Sequence, residues 1–584
     1  MIASETSELP PGYWLDPETG AWMTIPWPAD EDDKAFLIEN SLGPDLIDWA
    51  EWRTDEPGLV DYLTGKPWRF TAGQARFLIL WYAYDPQRGR WLYRSGVKRG
   101  AKGTGKDPFG GALCDIELVG RSQLVFDEDT ESWTGQRHML PLVQIASNSE
   151  AQSKDTLRIA NAMFNHEARE YFGIDCGETR TILKDGGRLE VLTASERTSE
   201  GDPATFILLN ESHHMTESSG GHKLAAVARR NVGKSPATLQ ARICEMTNAH
   251  QSGGDAVAER TFEAWQAQVS GRAKRRDILY DSIEADPSTD LYDDTARMRA
   301  LSQAYADAPW ADLERLSDEI LDPRTSVADS IRYYLNGLAA AEDAWIDPRK
   351  FDALARPELS LADGDQIAMF LDCSKSEDAT GLVAARLSDG LVVTLGMWQR
   401  PHGDRGKGWL APRHEVDAVV RQAFAAWRVV WFGVDPSPAR DDENEALYWA
   451  ETIDGWHRDF HRKVKVWATP GAQGHSVKFD MRLSERGGKE RNKLFTEQAE
   501  LVQRAIDEDG SLMHDGDPGL RTHTHNAKRR PNQWGITLGK ENRDSKRLVD
   551  LAVCMVGALL GRRLALNSTK IRSGSPGRGK VVVM

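Results

Sequence analysis

The chain is poor in cysteine: Cys114, Cys176, Cys244, Cys373 and Cys554 are all that 584 residues contain, and no two form a C-x-x-C pair. That spacing excludes a disulfide framework or a Cys-rich zinc module and reads as reduced core residues of a cytosolic protein. Also missing is any run of about eighteen apolar residues, which excludes a membrane-spanning helix. Glu5 and Glu8 stand where a secretory leader would be basic and then apolar, so no such leader is expected. Positive charge is in deficit, with 73 Lys and Arg against 89 Asp and Glu and a formal charge of -16. An all-over basic coat for nucleic acid is excluded, but a local basic channel is not, because distribution matters more than the sum. Internal repeats are absent as well.

What is present divides the chain. Its length implies two to four domains. Residues 1–60 are acidic and rich in Trp and Pro, an irregular segment with one helix expected around Lys34–Trp49. From 61 to 345, short apolar runs such as Leu142–Ala146, Arg188–Thr193, Thr205–Leu209 and Leu239–Met246 alternate with amphipathic stretches. Such alternation predicts a largely parallel sheet covered by helices. Residues 346–365, with Pro348, Pro357 and Gly364, are expected to be an inter-domain linker. A second α/β unit is expected over 366–562, then a basic, disordered tail over 563–584.

The most informative stretch runs from Gly100 through Gly103, Thr104 and Gly105 to Lys106 and Asp107. It fits the G-x-x-x-x-G-K frame of a phosphate-binding loop, with Asp107 where a magnesium-binding Ser or Thr is usual. A strand is expected before it, over Trp91–Val97, and a helix after it, opening at Pro108-Phe109-Gly110. That setting lets backbone N–H groups and a helix N-terminus converge on phosphate. Further on, the apolar Phe206–Leu209 ends in Asn210-Glu211. P-loop ATPases place there a magnesium-binding Asp and then a Glu that orients the attacking water. The Asp is replaced by Asn210, whereas Glu211 is retained as the expected general base. A carboxylate is lost at 210 and gained at 107, so Asp107 is expected to compensate at the ATP magnesium. His213 and His214, beside a Glu, are read as supporting or surface residues rather than metal ligands. Thr247-Asn248, closing another apolar run, is suited to sensing the γ-phosphate and passing hydrolysis on to a moving part. Gln74 is suited to bonding the adenine edge.

The second unit carries acidic residues at strand ends. Gln366–Leu371 leads to Asp372, Gly381–Leu387 and Leu391–Trp398 read as a hairpin, and Arg413–Trp427 reads as a helix. Val429–Val434 ends in Asp435, and a helix over Ser545–Leu560 holds Asp550 among Leu551, Ala552 and Val553. This order predicts an RNase H-like fold, whose carboxylates meet around two metal ions about 4 Å apart. A carboxylate flanked by apolar residues, as Asp550 is, is costly without a partner. Asp378 is a further candidate ligand, and Asp544 a weaker one. The expected fold class is α/β: a P-loop (RecA/ASCE-type) ATPase domain followed by an RNase H-like nuclease domain.

The motif order resembles the large terminase subunit of tailed bacteriophages, particularly those of actinobacterial hosts. The resemblance rests on Gly103 to Phe109, on Gly201 to Phe206 leading into Asn210 to His214, and on Thr247 to His250 and Asp255 to Arg260. It extends to Asp372 to Thr380, Asp435-Pro436, His523 to Ala527, Lys540 and Asp550. It implies a motor that pumps double-stranded DNA into a procapsid, and an endonuclease that cuts concatemers. By the same resemblance, Lys106 and Arg99 bind phosphate, Gln74 binds adenine, Glu211 is catalytic and Thr247-Asn248 couple hydrolysis to movement. His523, His525, Asn526 and Lys540 are candidates to position the scissile phosphate. ATP and Mg2+, with Mn2+ in the nuclease site, are the implied cofactors. A portal protein, a small terminase subunit and a homo-oligomeric ring are the implied partners, in the host cytoplasm. Candidate DNA-facing basic surfaces are Arg272–Arg276, Arg482–Lys493 and Lys528–Arg530. Two rival readings share these motifs: a helicase- or transposase-like enzyme without a capsid role, and a degenerate ATPase that only grips nucleic acid.

Overall fold

The computed structural model describes residues 9–192, 203–339, 343–376, 378–401, 406–436, 443–471, 473–540, 545 and 547–572. The chain divides into two units, Met1–Ala339 and Ala340–Met584.

The first unit is built on the strands Leu142–Ala146, Phe206–Asn210 and Arg242–Thr247, in which every residue is buried. Short runs without a polar face suit strands covered on both sides. Alternation divides their side chains between two cores. Leu208 packs in the cluster of Phe109 and Leu113, whereas Ile207 and Leu209 join Leu224 and Ala225 on the opposite face. Six strands run parallel, in the order Ile278–Glu284, Ser95–Arg99, Arg242–Thr247, Phe206–Asn210, Leu142–Ala146 and Arg188–Leu192. The strand Arg242–Thr247 thus lies between the one entering the phosphate loop and the one ending at Asn210. This is the ASCE arrangement of a P-loop ATPase.

Two local expectations change. The strand before the loop is Ser95–Arg99, because Arg90–Trp91 pairs instead with Tyr84–Asp85. Residues 1–60 are not merely irregular: Trp22 and Met23 pair with Glu284 and Ile283, extending the sheet. Helices cover Glu31–Glu39 and Gly43–Ala50, where one was expected.

The second unit holds a four-stranded sheet in the order Val392–Trp398, Thr380–Arg386, Gln366–Asp372, Arg428–Asp435. The first three strands are antiparallel neighbours and the last is parallel to Gln366–Asp372. That is the RNase H-like order. The helix Asp550–Asn567 lies across its centre. Gly557 and Gly561 permit the close approach, since a Cβ there would sit 2.2 Å from Phe370 and 2.1 Å from Trp431. The segment 346–365 belongs to this unit: it carries the helix Pro348–Ala353, and Arg356 N–H bonds His514 O at 2.7 Å. Just before it, Trp345 is fully buried.

Candidate active sites

In the first unit the chain leaves Arg99, turns through residues 100–105 and enters the helix Lys106–Val119. Gly103 and Gly105 have left-handed backbone, φ 85° and 77°, which glycine adopts without a Cβ penalty. The helix N-terminus borders a cavity lined by Gln74, Lys98, Gly100, Thr104, Lys106 and Asp307, among others. Lys106 is buried, and its Nζ donates to Ala101 O at 2.9 Å. Burial pushes its ammonium pKa down, opposed by Glu211 and then Asp107. Gln74 Oε1 accepts from Thr71 N–H at 3.2 Å, completing a helix cap at the cavity wall.

Arg99 lines the same cavity. Its guanidinium is buried, pairs with Glu284 and donates through Nε to Ser282 Oγ at 3.0 Å. It lies over the rings of Phe262 and Tyr280, at 5.6 and 5.7 Å. Its charge is paired in the core, while Arg99 also lines the cavity at the helix N-terminus.

The two irregular positions meet. Asn210 Nδ2 donates to Asp107 Oδ1 at 3.0 Å and to Thr156 Oγ1 at 3.0 Å. Asn210 Oδ1 is buried with no bonding partner among the described residues, which leaves a polar atom for a cation or its water. Next to it, Glu211 has left-handed backbone at φ 57°. Its carboxyl pKa is pushed up by burial and restrained by Lys106.

A network that sequence reasoning missed joins these parts. Glu211 Oε2 lies 3.3 Å from His213 Nδ1, which is also 3.2 Å from Thr247 Oγ1 and accepts from Asn248 N–H at 3.4 Å. Asn248 Nδ2 donates to Gly100 O at 3.0 Å. The expected base, the expected sensor and the phosphate loop are therefore one connected set. Among the described residues, Glu211, His213 and His214 also bring one ligand atom each within 4.8 Å of one another. The only sequence signal for this was two histidines directly after a strand-end Glu-Ser.

In the second unit, Asp372 and Asp435 end adjacent parallel strands and are register partners. Asp550 opens the helix that packs on both. All three are buried. Burial pushes the Asp372 carboxyl well above the ordinary range, helped by Asp550, Asp435 and Asp378. Asp550 is pushed up to about 7 by burial and Asp378, with Lys540 opposing. Asp550 Oδ2 is buried without a partner among the described residues, and Asp435 Oδ1 accepts from Met481 N–H at 3.3 Å. Buried like charges with an orphaned oxygen fit a polycation centre. Asp378 pairs with Lys540 at the same place. Asp544 and Gly201-Asp202 lie outside the described residues.

The two histidines separate. His523 Nδ1 accepts from Leu551 N–H at 3.0 Å, and its pKa is lowered to about 4 by burial and then by Lys540. His525 Nε2 is instead 3.0 Å from Asp352 Oδ1, in a cluster with Arg521. Asn526 Nδ2 donates to Leu548 O at 3.1 Å, just ahead of the Asp550 helix. Both basic surfaces in this unit reach the site: Arg530 Nε donates to Lys540 O at 2.7 Å, and Arg482 and Arg491 feel the charge of Asp435. In Arg482–Lys493, Arg482 is bound to Asp480 and Glu485. Arg272–Arg276 lies in the first unit, after the helix Val257–Val269.

No family model matches the chain. The gene 13 protein of Mycobacterium phage D29 is 32% identical over 535 residues, covering 86% of this chain and 85% of its own. That of Mycobacterium phage L5 is 31% identical over 596 residues, covering 94% and 95%. Among solved structures, the large terminase of bacteriophage HK97 is 13% identical, covers 89% of this chain and 99% of its own, and has a TM-score of 0.44. At the identity of the two phage relatives, held over most of both lengths, the chain belongs to the family of the mycobacteriophage gene 13 proteins.

Proposed function

We propose that the protein is the motor and cutter of phage DNA packaging: ATP hydrolysis drives double-stranded DNA into the procapsid, and the second unit cuts the concatemer. The observation that supports this best is one chain holding both constellations, Lys106 with Glu211 and Asn248, and Asp372 with Asp435 and Asp550. The working form is a homo-oligomeric ring on a portal protein, with a small terminase subunit, in the host cytoplasm.

In the first unit the loop backbone and Lys106 hold the ATP phosphates, and Gln74 faces the adenine. Asp107 and Asn210 would hold Mg2+, which neutralises phosphate charge when bound. Glu211 takes the proton of the attacking water; its raised pKa makes it a stronger base near neutral pH. Thr247 and Asn248 carry the change at the phosphates away from the loop.

In the second unit Asp372, Asp435 and Asp550, with Asp378, would hold two Mg2+ or Mn2+ ions, which activate water and stabilise the leaving oxygen. Lys540 and His523 sit where they can orient the phosphodiester. A groove of about 1310 Å³, lined by Lys478, Arg486, Arg491 and Lys570 with Asp480, Glu485 and Glu490 among them, includes Phe479, whose N–H bonds Val434 O next to Asp435. It is a track for the DNA backbone, and phosphate contacts of this kind are tolerant of sequence and sensitive to salt.

Two variants test the reading on linear and plasmid duplex DNA. Glu211→Gln should abolish DNA-stimulated ATP hydrolysis and leave metal-dependent nicking intact. Asp372→Ala should do the reverse. Hydrolysis unaffected by Glu211→Gln, or nicking unaffected by Asp372→Ala, removes the corresponding half.

A further inference from the structure

Three groups compete for one nitrogen. His213 Nδ1 lies 3.3 Å from Glu211 Oε2, 3.2 Å from Thr247 Oγ1 and 3.4 Å from the backbone nitrogen of Asn248. The ring is buried, and its surroundings keep it neutral: burial, then His214, Arg332 and Lys106, lower its pKa to about 2. A neutral imidazole nitrogen is either a donor or an acceptor. The Glu211 carboxylate needs a donor, whereas the Asn248 N–H needs an acceptor. Nδ1 cannot serve both at once.

We propose that His213 is a positioning residue that parks Glu211 away from the attacking water until Asn248 claims its ring nitrogen. With the proton on Nδ1, the ring donates to Glu211 Oε2 and holds the carboxylate. When water takes the proton from Nδ1 and returns one to Nε2, Nδ1 accepts from Asn248 N–H and its lone pair no longer holds the carboxylate, which is free to meet the attacking water. The trigger lies on the phosphate loop, because Asn248 Nδ2 is bonded to Gly100 O at 3.0 Å. With nucleotide in the loop, binding of duplex DNA moves Gly100, and Asn248 transmits the movement. Thr247 supports the hinge: its hydroxyl accepts from His213 N–H at 3.1 Å and donates to Asn248 O at 3.0 Å.

This inference rests on the reading of Glu211 as the ATPase base, and the test separates the two. Steady-state hydrolysis without and with duplex DNA, and binding of a fluorescent ATP analogue, are measured on the full chain. The variants are His213→Phe, His213→Asn and Glu211→Gln. An Asn side chain offers a separate donor and acceptor, so His213→Asn can satisfy both partners together; Phe satisfies neither. His213→Phe is expected to raise DNA-free kcat about tenfold, as loss of a parked state would, with analogue affinity unchanged and DNA stimulation lost. His213→Asn should keep the low DNA-free rate and lose stimulation. Equal loss of kcat with and without DNA in both variants, or a fall in the DNA-free rate restored by Asn, overturns parking. If His213→Phe does not fold, His213→Asn alone decides, because retained stimulation overturns the proposal. Unimpaired hydrolysis by Glu211→Gln overturns the ATPase reading instead.

Discussion

Asn210 donates its side-chain amide to Asp107 at 3.0 Å, so the two positions that depart from the usual P-loop pattern are bonded to each other. The usual pair is a hydroxyl on the helix and a carboxylate on the strand. Here the carboxylate has moved to the helix and the donor to the strand, and the bond between them is kept. Asp107→Ser removes the only carboxylate of the pair and should abolish Mg-dependent ATP hydrolysis. Adding Asn210→Asp rebuilds the usual polarity and should recover part of the rate. Asn210→Asp alone opposes two carboxylates and should be as poor as Asp107→Ser. Equal inactivity of the single and double mutants would refute the exchange.

Arg99 pairs with Glu284 while lining the cavity at the helix N-terminus. Arg99→Ala leaves Glu284 buried and unpaired, which costs roughly 3–5 kcal/mol, and a urea midpoint should fall accordingly. The KM for ATP of the folded fraction should stay near that of the wild type. Lys106→Ala should do the opposite: ATP binding is lost with little change in the urea midpoint.

The aspartate centre makes stability depend on pH when divalent cations are chelated. Asp550 stands at about 7, above its ordinary 3.8, so between those values the folded state keeps a proton that the unfolded chain releases. Folded stability therefore declines as pH rises through that window and levels off above about 7. Asp372 is shifted in the same direction. Thermal unfolding in EDTA should show a higher Tm at pH 5 than at pH 8, and Asp550→Asn should flatten the profile. Mg2+ should raise Tm at pH 8 in the wild type and much less in Asp550→Asn. A profile unchanged by Asp550→Asn removes that carboxylate from the centre.

Both units were legible because their strands are short apolar runs closed by a polar residue, as in Phe206–Asn210 and Gln366–Asp372. A strand end is where a sheet delivers a side chain to a site, so pattern alone marks Glu211, Asp372 and Asp435 as candidates. The side of a strand that a residue faces depends on register, which local sequence does not carry. Lys98 and Arg99 are adjacent cations, and only the folded sheet assigns Arg99 to Glu284 and Lys98 to Asp281. The choice between His523 and His525 has the same cause: neighbours on one short helix, they face Leu551 and Asp352. The segment 346–365 read as a linker because Pro and Gly signal turns, yet Trp345 and Phe351, which flank and occupy it, are fully buried.

The phosphate loop supplies a last prediction, which separates backbone strain from crowding. Gly103 and Gly105 both have positive φ, at 85° and 77°, but their surroundings differ. A Cβ on Gly103 meets nothing within 4 Å, whereas one on Gly105 would lie 2.9 Å from the ring of Trp310. That indole donates its Nε1 to Gly103 O at 2.9 Å. Gly103→Ala should therefore cost only left-handed strain, on the order of 1–2 kcal/mol. Gly105→Ala should cost the same strain plus displacement of Trp310, and should weaken ATP-analogue binding more. Trp310→Ala should recover part of the loss in Gly105→Ala and none in Gly103→Ala. Double-mutant cycles on analogue affinity and on the urea midpoint read this directly. Equal rescue of both glycine variants, or of neither, shows that Trp310 does not shape the loop.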